Sequence, residues 1–406
     1  MFDGIIIGGG AAGMYAAIHA ARLGSRVLLL ERNDRLGKKL LITGKGRCNV
    51  TNDCSDQEVM QNIPRNPRFL YSAMQGHPPA AVCDLLTQWG CKLKTERGNR
   101  VFPQSDKAQT VLNVLAEQLQ LQGVTVRYER VSEIVAKDGA VQGVRTNREY
   151  IPCRWVILAT GGLSYPTTGS TGDGYTMAQK LGHTVTNCEG SLVPLECEEP
   201  DCKDMQGLSL RNVAVKLQNE KGKVIYKDFG ELLFTHFGVS GPTVLSASAH
   251  MKGSCKLIID LKPALDEGKL SERILRDLDA YRNRAMENAL TDLLPRSMIP
   301  VVLRRLSVPG TLQANSFKKE DRRALVQLLK NFSLTITGKR PVAEAIITSG
   351  GIKVSEVDPK TMESKLVSGL YFAGEILDCD GYTGGFNLQI AWATAYAAAC
   401  AAGKNH

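Results

Sequence analysis

The sequence predicts an α/β fold of Rossmann-like architecture: a parallel-sheet domain built from both ends of the chain, interrupted by a β-rich and helical module. Three observations predict it. The chain opens on an apolar run and a glycine cluster spaced to join a strand to a helix. Strand-like and helix-like segments then succeed one another as far as residues 155–159. From Leu192 the texture changes, and a buried-strand pattern followed by an uncharged alanine-rich helix returns only at residues 370–402.

Residues 2–7 (Phe-Asp-Gly-Ile-Ile-Ile) suit a fully buried strand. Gly8, Gly9, Gly10, Ala11, Ala12 and Gly13 fit G-x-G-x-x-G, and residues 14–23 are rich in good helix formers. Gly24 stops that helix as a residue just past its C-terminus would. Residues 27–30 make a second apolar strand, closed by the acid Glu31. In such a unit Gly8 allows the tight turn, Gly10 lets backbone approach a pyrophosphate, and Gly13 lets helix and strand pack closely. The helix start aims free N–H groups and a partial positive charge at the phosphates. Glu31 can accept both hydroxyls of an adenosine ribose, which disfavours a 2′-phosphate. The segment is therefore expected to bind a dinucleotide.

Residues 44–52 read as a glycine-rich, basic, polar loop, placed to line a pyrophosphate, a flavin or a substrate. Residues 66–90 look helical, with Pro78 and Pro79 at the start of a second helix. Residues 100–103 are extended. Ser105 is expected to cap an amphipathic helix carrying Val111, Leu112, Val114, Leu115 and Leu119 and ending at Gly123. A strand follows at residues 124–128, then a hairpin around Asp138-Gly139, then the buried strand at 155–159. Residues 213–217 and 223–226 form an antiparallel hairpin, residues 232–235 and 256–261 add strand, and residues 270–329 are charge-rich and mostly helical. Residues 333–337 and 345–348 return to strand, and the Gly350-Gly351-Ile352 turn marks re-entry into the first domain.

The totals bound the function. At 406 residues the chain is long enough for two or three domains, and 43% hydrophobic residues are ample for cores. No apolar run approaches the ~18–20 residues of a membrane span, and no basic n-region with a cleavage site precedes the first strand. Eleven cysteines include no C-x-x-C pair, which argues against zinc or thioredoxin-like chemistry and, with an odd count, for a reducing cytoplasm. The net charge of +9 is spread along the chain and aromatics make up 6%, which argues against nucleic-acid binding and for a field that favours anionic ligands.

There is one G-x-G-x-x-G, not two, and no contiguous six-strand pattern follows it. Instead a strand runs into Ala159-Thr160-Gly161-Gly162, and the chain returns late as Gly369-Leu370-Tyr371-Phe372-Ala373-Gly374-Glu375 with Asp378. Together these resemble the glutathione-reductase-type FAD domain. The resemblance implies that Asp378 or Glu375 binds the ribityl chain or pyrophosphate, and that Asn387, Leu388, Gln389 and Ile390 face the flavin pyrimidine. A positive helix start suits negative charge at N1/O2 of a reduced flavin. Residues 159–174 (ATGGLSYPTTGSTGDG) also resemble the flavoprotein subunit of fumarate reductases and succinate dehydrogenases, without that family's further catalytic segments.

A closer match spans most of the chain. Residues 37–52 (GKKLLITGKGRCNVTN), 100–110 (RVFPQSDKAQT), 230–245 (GELLFTHFGVSGPTVL) and 374–392 (GEILDCDGYTGGFNLQIAW) resemble the BaiN-like or HI0933-like family of bacterial flavoproteins. The resemblance implies noncovalent FAD, a β-barrel-like insertion and a small helical cap. The expected domains are 1–190 with 345–406 for FAD, 191–262 with 331–344 for the β-rich insertion, and 263–330 for the helical part. Cofactor contacts are expected at Gly8, Gly10, Ala11, Ala12, Gly13, Glu31, Arg32, Gly37, Lys38, Lys39, Gly46, Asn49, Val131, Ala159, Thr160, Gly161, Gly374, Glu375, Asp378, Asn387, Leu388, Gln389 and Ile390. No metal is expected.

The family's activities imply either reduction of a carbon–carbon double bond in an oxo-steroid or oxidation of an amine such as aminoacetone. In the first case NAD(P)H is the candidate electron donor, binding transiently, and hydride goes from flavin N5 to the β-carbon of an enone. A donor must then polarise the carbonyl and an acid must protonate the α-carbon. The candidates are His236, Tyr382 and Arg47, with Tyr165 and Lys45 behind them. Cys48 and Cys379 lie near the expected site, but nothing in the sequence activates either as a thiolate. A reading of another class is a flavin-binding, RNA-associated protein without catalysis. The partner expected is a small-molecule substrate, with no membrane.

Overall fold

The computed structural model describes residues 1–404. Their contacts divide the chain into two units, Met1–Ser191 with Pro341–His406, and Leu192–Arg340.

The first unit is framed by β1 (Gly4–Ile7), α1 (Ala11–Arg22), β2 (Val27–Leu30), β3 (Thr125–Arg127), β4 (Trp155–Leu158), β5 (Leu370–Phe372) and α2 (Phe386–Lys404). The strands form one sheet in the order β5-β4-β1-β2-β3, and every neighbouring pair is parallel. A parallel sheet is covered on both faces, so its strands are apolar throughout rather than alternating. Every residue of β1, β2, β4 and β5 is buried, and only the edge strand β3 is partly open.

Small residues let the layers approach. A methyl group on Gly13 would lie 1.8 Å from the Gly8 carbonyl oxygen, so α1 rests directly on the turn that begins it. The alanines of α2 serve the same purpose. A methyl on Gly374 would meet the Cβ of Ala12 at 2.9 Å and that of Ala391 at 3.8 Å, which brings the starts of α1 and α2 together at the end of β5.

Two small antiparallel sheets flank this frame. One pairs Thr51–Asn52 and Leu93–Glu96 with Arg100–Pro103; the other comprises Val131–Lys137, Ala140–Thr146 and Tyr150–Pro152. Glu189–Ser191 and Ile347–Ser349 pair antiparallel where the chain leaves the unit and returns.

Local departures from the sequence reading have local causes. Ser105 does not cap the amphipathic helix. That helix runs Ala108–Leu121 from Lys107, without a side-chain cap. The Asp106 N–H donates back to the Pro103 carbonyl in a tight turn, and Ser105 Oγ instead shares a 2.7 Å hydrogen bond with Thr110 Oγ1. Lys38–Ile42 form a short helix that the periodicity did not signal. The loop beyond it is irregular, as expected: Gly44, Lys45 and Gly46 take φ values of 61°, 59° and 82° in succession.

The second unit is a closed six-stranded antiparallel barrel with helices. Its strands follow in the order Leu195–Cys197, Gly238–Ser240, Val224–Thr235, Ser209–Asn219, Cys255–Asp260 and Phe332–Lys339, the last pairing with the first. Here period two holds: Cys255, Leu257 and Ile259 are buried, as are Phe332, Leu334 and Ile336. Helix Glu267–Ala280 buries Leu270, Ile274 and Leu278 along one stripe, and Asp266 caps it by accepting the Lys269 N–H at 2.8 Å.

Candidate active site

In the first unit the chain fills the sheet from β1 outward through β2 to β3, then crosses to β4 and β5 on the other side. Ligands of such sheets bind where that order reverses, beyond the C-terminal strand ends. A cleft lies there. It is lined by the β1–α1 turn (residues 7–12), Leu30 to Asn33 after β2, Glu129 to Val131 after β3, Ala159 to Gly161 after β4, and Ala373 to Glu375 after β5. Asn387, Leu388 and Ala391 of α2 close it.

At one end Glu31 is buried, and both its oxygens are held. Oε2 accepts the Gly9 N–H at 2.7 Å, and Oε1 accepts the backbone N–H and Nδ2 of Asn33, each at 2.7 Å. Arg32 pairs with Asp173 at 3.0 Å and donates to Thr171, and Arg130 reaches the same Asp173 oxygen at 2.9 Å. Gly37, with φ +69°, donates to the Gly9 carbonyl at 2.9 Å, and Lys38 pairs with Asp34 at 2.8 Å.

Lys39 and Glu375, which line the cleft, close a triangle with the fully buried Ser164. Lys39 Nζ donates to Ser164 Oγ at 2.6 Å and to Glu375 Oε2 at 2.5 Å, and Ser164 Oγ donates to Glu375 Oε1 at 2.9 Å. Glu375 Oε1 also accepts the Thr348 N–H at 3.0 Å. A half-buried carboxylate is thereby compensated by a cation and two further donors.

The residues present fit a dinucleotide. A methyl on Gly10 would meet nothing within 4 Å, so the backbone there is open to an incoming group, while one on Gly8 (φ +109°) would strike the Ala159 carbonyl oxygen at 2.4 Å. The starts of α1 and α2 both face the cleft, and two helix N-termini favour anionic oxygens. Two polar atoms of lining residues, Thr160 Oγ1 and Glu129 Oε2, are buried in the wall without a protein partner, the former packed against Gly174.

Other expected residues sit elsewhere. Gly13 packs behind the cleft wall. Asp378 is buried against Arg65, with Asn66 Nδ2 on its carbonyl at 2.6 Å. Asn387, by contrast, lines the cleft, and its side chain clasps Gly381 through two hydrogen bonds of 2.7 and 2.8 Å, folding the preceding loop onto the helix start. Gln389 bridges Thr51 (2.7 Å) and the His77 carbonyl (2.9 Å), its N–H is taken by the Gly385 carbonyl, and Ile390 is in the core. Gly46 accepts the Ala108 N–H, and the buried Asn49 Oδ1 lacks a protein partner.

Of the candidates for proton chemistry, Arg47 is engaged by Asp106 and Glu96 and stacks over Phe102, 4.1 Å from the ring centroid. Tyr382 is half-buried, with its N–H on the Asn62 carbonyl. His236 belongs to the second unit, exposed in a barrel turn with its ring edge-on to Phe237. Tyr165 holds φ +52°, an unusual backbone for an aromatic residue, next to Ser164. Lys45 is exposed. Burial pushes the Cys48 and Cys379 thiols up, so neither is a thiolate at neutral pH.

Ser164, Thr348, Glu129 and Asn33 were absent from the sequence reading. Glu129 had a findable signal, since it lies two residues beyond the parallel strand β3. Ser164 and Thr348 had none.

A family model described as "HI0933-like protein Rossmann domain" matches residues 2–401. The chain is 33% identical over 401 residues to a ribosomal RNA dihydrouridine synthase of Escherichia coli, covering 98% of this chain and 97% of that one. It is 32% identical over 407 residues to a 3-dehydro-bile acid delta(4,6)-reductase of Clostridium scindens, covering 98% of each. A Haemophilus influenzae ribosomal RNA dihydrouridine synthase is 32% identical over 401 residues, covering 98% and 97%. Among solved structures, 3-ketosteroid delta1-dehydrogenase of Sterolibacterium denitrificans superposes with a TM-score of 0.54 at 13% identity over 100% of both chains, a likeness of fold.

Proposed function

The chain belongs to the HI0933-like family, and on that premise we propose that it is an FAD-dependent oxidoreductase that reduces a carbon–carbon double bond conjugated to a carbonyl. FAD, when bound, supplies the hydride chemistry. The observation that carries the reading is the cleft at the strand-order reversal, where Glu31, two helix starts and the Lys39–Ser164–Glu375 triangle converge. In it Glu31 would hold the adenosine end, the amides after Gly8 and at the start of α2 would take anionic oxygens, and Glu375 with Lys39 would meet the polar chain of the cofactor.

The relatives support the reaction class. A dihydrouridine synthase and a bile acid delta(4,6)-reductase each saturate a double bond activated by a carbonyl. They differ in what carries it. Uracil in ribosomal RNA is the substrate we place first, because two relatives are named for dihydrouridine synthesis in ribosomal RNA. That reading departs from the expectation of a small-molecule substrate. An oxo-steroid is the second reading, supported by the bile acid relative. NAD(P)H is the proposed electron donor in both.

The test starts from the purified chain and its visible spectrum. A flavin band that bleaches with NADH or NADPH without oxygen supports the reductase. Reoxidation by unmodified ribosomal RNA, with dihydrouridine in the digest, supports the first substrate; reoxidation by a 3-oxo-4,6-diene steroid alone supports the second. A flavin indifferent to both nucleotides but bleached by an amine overturns the reductase reading.

A further inference from the structure

Beside the cleft lies a buried cluster of titratable and aromatic side chains that the proposed reaction does not use. It is formed by Tyr15 and His19 of α1, by His77 and Trp89, and by Trp392 and Tyr396 of α2. Tyr15 and Trp392 are fully buried. Tyr15 Oη and His77 Nε2 are 2.6 Å apart. Burial holds His77 down near 4, so its imidazole is uncharged at neutral pH, and burial raises the Tyr15 phenol above its ordinary range. With the phenol protonated and the imidazole neutral, the Nδ1–H tautomer of His77 presents Nε2 as the acceptor of the Tyr15 hydroxyl, and that is the tautomer the proposal below takes.

The rings form a continuous series. Trp392 and Tyr15 have centroids 5.0 Å apart, Tyr15 and His77 5.5 Å, and His77 stacks on Tyr396 at 4.3 Å. Tyr396 is half-buried and brings the series to the surface. At the other end, Ala391, which lines the cleft, immediately precedes Trp392, and the lining residue Ala12 lies one helical turn before Tyr15.

A buried tyrosine loses an electron readily only if its proton leaves with it, because a cationic phenol in a dry interior is far too costly. A neutral imidazole on the phenolic hydrogen is the acceptor such a step requires. We propose that Tyr15 is a redox-active residue, proton-coupled to His77, in an aromatic conduit from the cleft through Trp392 and Tyr15 to Tyr396.

The proposal rests on FAD occupying the cleft. The oxidant is that flavin excited by blue light. One electron passes from Tyr15 to the flavin by way of Trp392. The Tyr15 O–H bond breaks, an N–H bond forms at His77 Nε2, and Tyr15 becomes a neutral phenoxyl beside an imidazolium. Return of the electron and proton restores both. When the electron comes from Tyr396, the Tyr15 phenoxyl takes its proton back from His77 Nε2–H, and the half-buried Tyr396 releases its own phenolic proton to solvent, so the vacancy moves outward.

The test uses the flavin-loaded full chain, with loading established first by its visible spectrum. Blue-light excitation, followed by transient absorption and electron paramagnetic resonance, is expected to show a neutral tyrosyl radical that forms more slowly in heavy water. Tyr15→Phe should lose that signal and lengthen the flavin emission lifetime several-fold. His77→Gln should lower the radical yield several-fold, and Tyr396→Phe should keep the Tyr15 radical but prolong it. A flavin-loaded chain with no tyrosyl signal, or with one unchanged in Tyr15→Phe, overturns the proposal. A chain that takes up no flavin overturns the cofactor reading itself and this proposal with it, and the spectrum alone separates that outcome from the others.

Discussion

At the scale of single residues, Glu31 and the glycines carry the cleft. Glu31 organises three donors of its own chain before any ligand arrives. Hydrogen bonds to a charged acceptor are worth about 1.5–3 kcal/mol. Glu31→Ala should therefore weaken FAD binding by roughly ten- to a hundredfold, read by titrating the unloaded chain and following flavin fluorescence. Glu31→Gln keeps one acceptor and should lose less. The two glycines separate binding from folding. Gly10 has open space where a side chain would go, so Gly10→Ala should leave the melting temperature nearly unchanged while flavin is lost. A methyl on Gly13 would sit 1.8 Å from a carbonyl oxygen, so Gly13→Ala should destabilise the fold by at least the ~1–3 kcal/mol typical of overpacking. Equal melting temperatures for the two variants would contradict this division.

At the scale of elements, α1 and α2 enclose two buried imidazoles, and these set an acid limit. Burial is the leading cause that holds His77 near 4 and His19 near 3, from an ordinary 6.5. Above pH 6.5 both are uncharged whether folded or unfolded, and their contribution to stability is fully present. As the pH falls below 6.5 the unfolded chain takes up protons that the folded chain refuses until about pH 4, so stability is lost across that window. For His77 the loss amounts to about 3 kcal/mol. Urea unfolding at a series of pH values should show this slope, and His77→Gln should lessen it, leaving the part due to His19. A slope unchanged in the variant would show that His77 is not its source. The same two helices explain the alanine content of residues 391–402. Their starts meet through Ala12, Gly374 and Ala391, a contact with no room for larger side chains.

At the scale of the molecule, every residue lining the cleft belongs to the first unit, and the barrel closes on itself through Leu195 and Lys339. Each unit also has its own apolar cluster. Residues 192–340 produced alone should give a strand-rich circular dichroism spectrum with a cooperative melt. Joining Ser191 directly to Pro341 should leave a chain that still retains FAD, because Ser191 already pairs with Ile347 where the chain returns. Loss of flavin from the joined chain would show that the cleft depends on the insertion.

What the sequence determined by itself was whatever short-range chemistry dictates. The run from β1 through Glu31 was legible because strand, turn, helix and acid fall within about thirty residues, each chosen by local sterics or burial. The parallel sheet was legible from unbroken apolar runs, and four of the barrel's six strands from their β character; the short strands Leu195–Cys197 and Gly238–Ser240 were not read, and closure into a barrel was implied only by the family resemblance. Only the tertiary structure decided the polar partners. Lys39 and Glu375 stand 336 positions apart, and Ser164 and Glu375 stand 211 apart, so no spacing rule joins them. It also decided that Arg47 spends its charge on Glu96 and Asp106, and that Asp378 spends its own on Arg65. A charged side chain shows its type in the sequence, but its function depends on which opposite charge the fold brings within reach, because only a partner at contact distance repays the cost of leaving water.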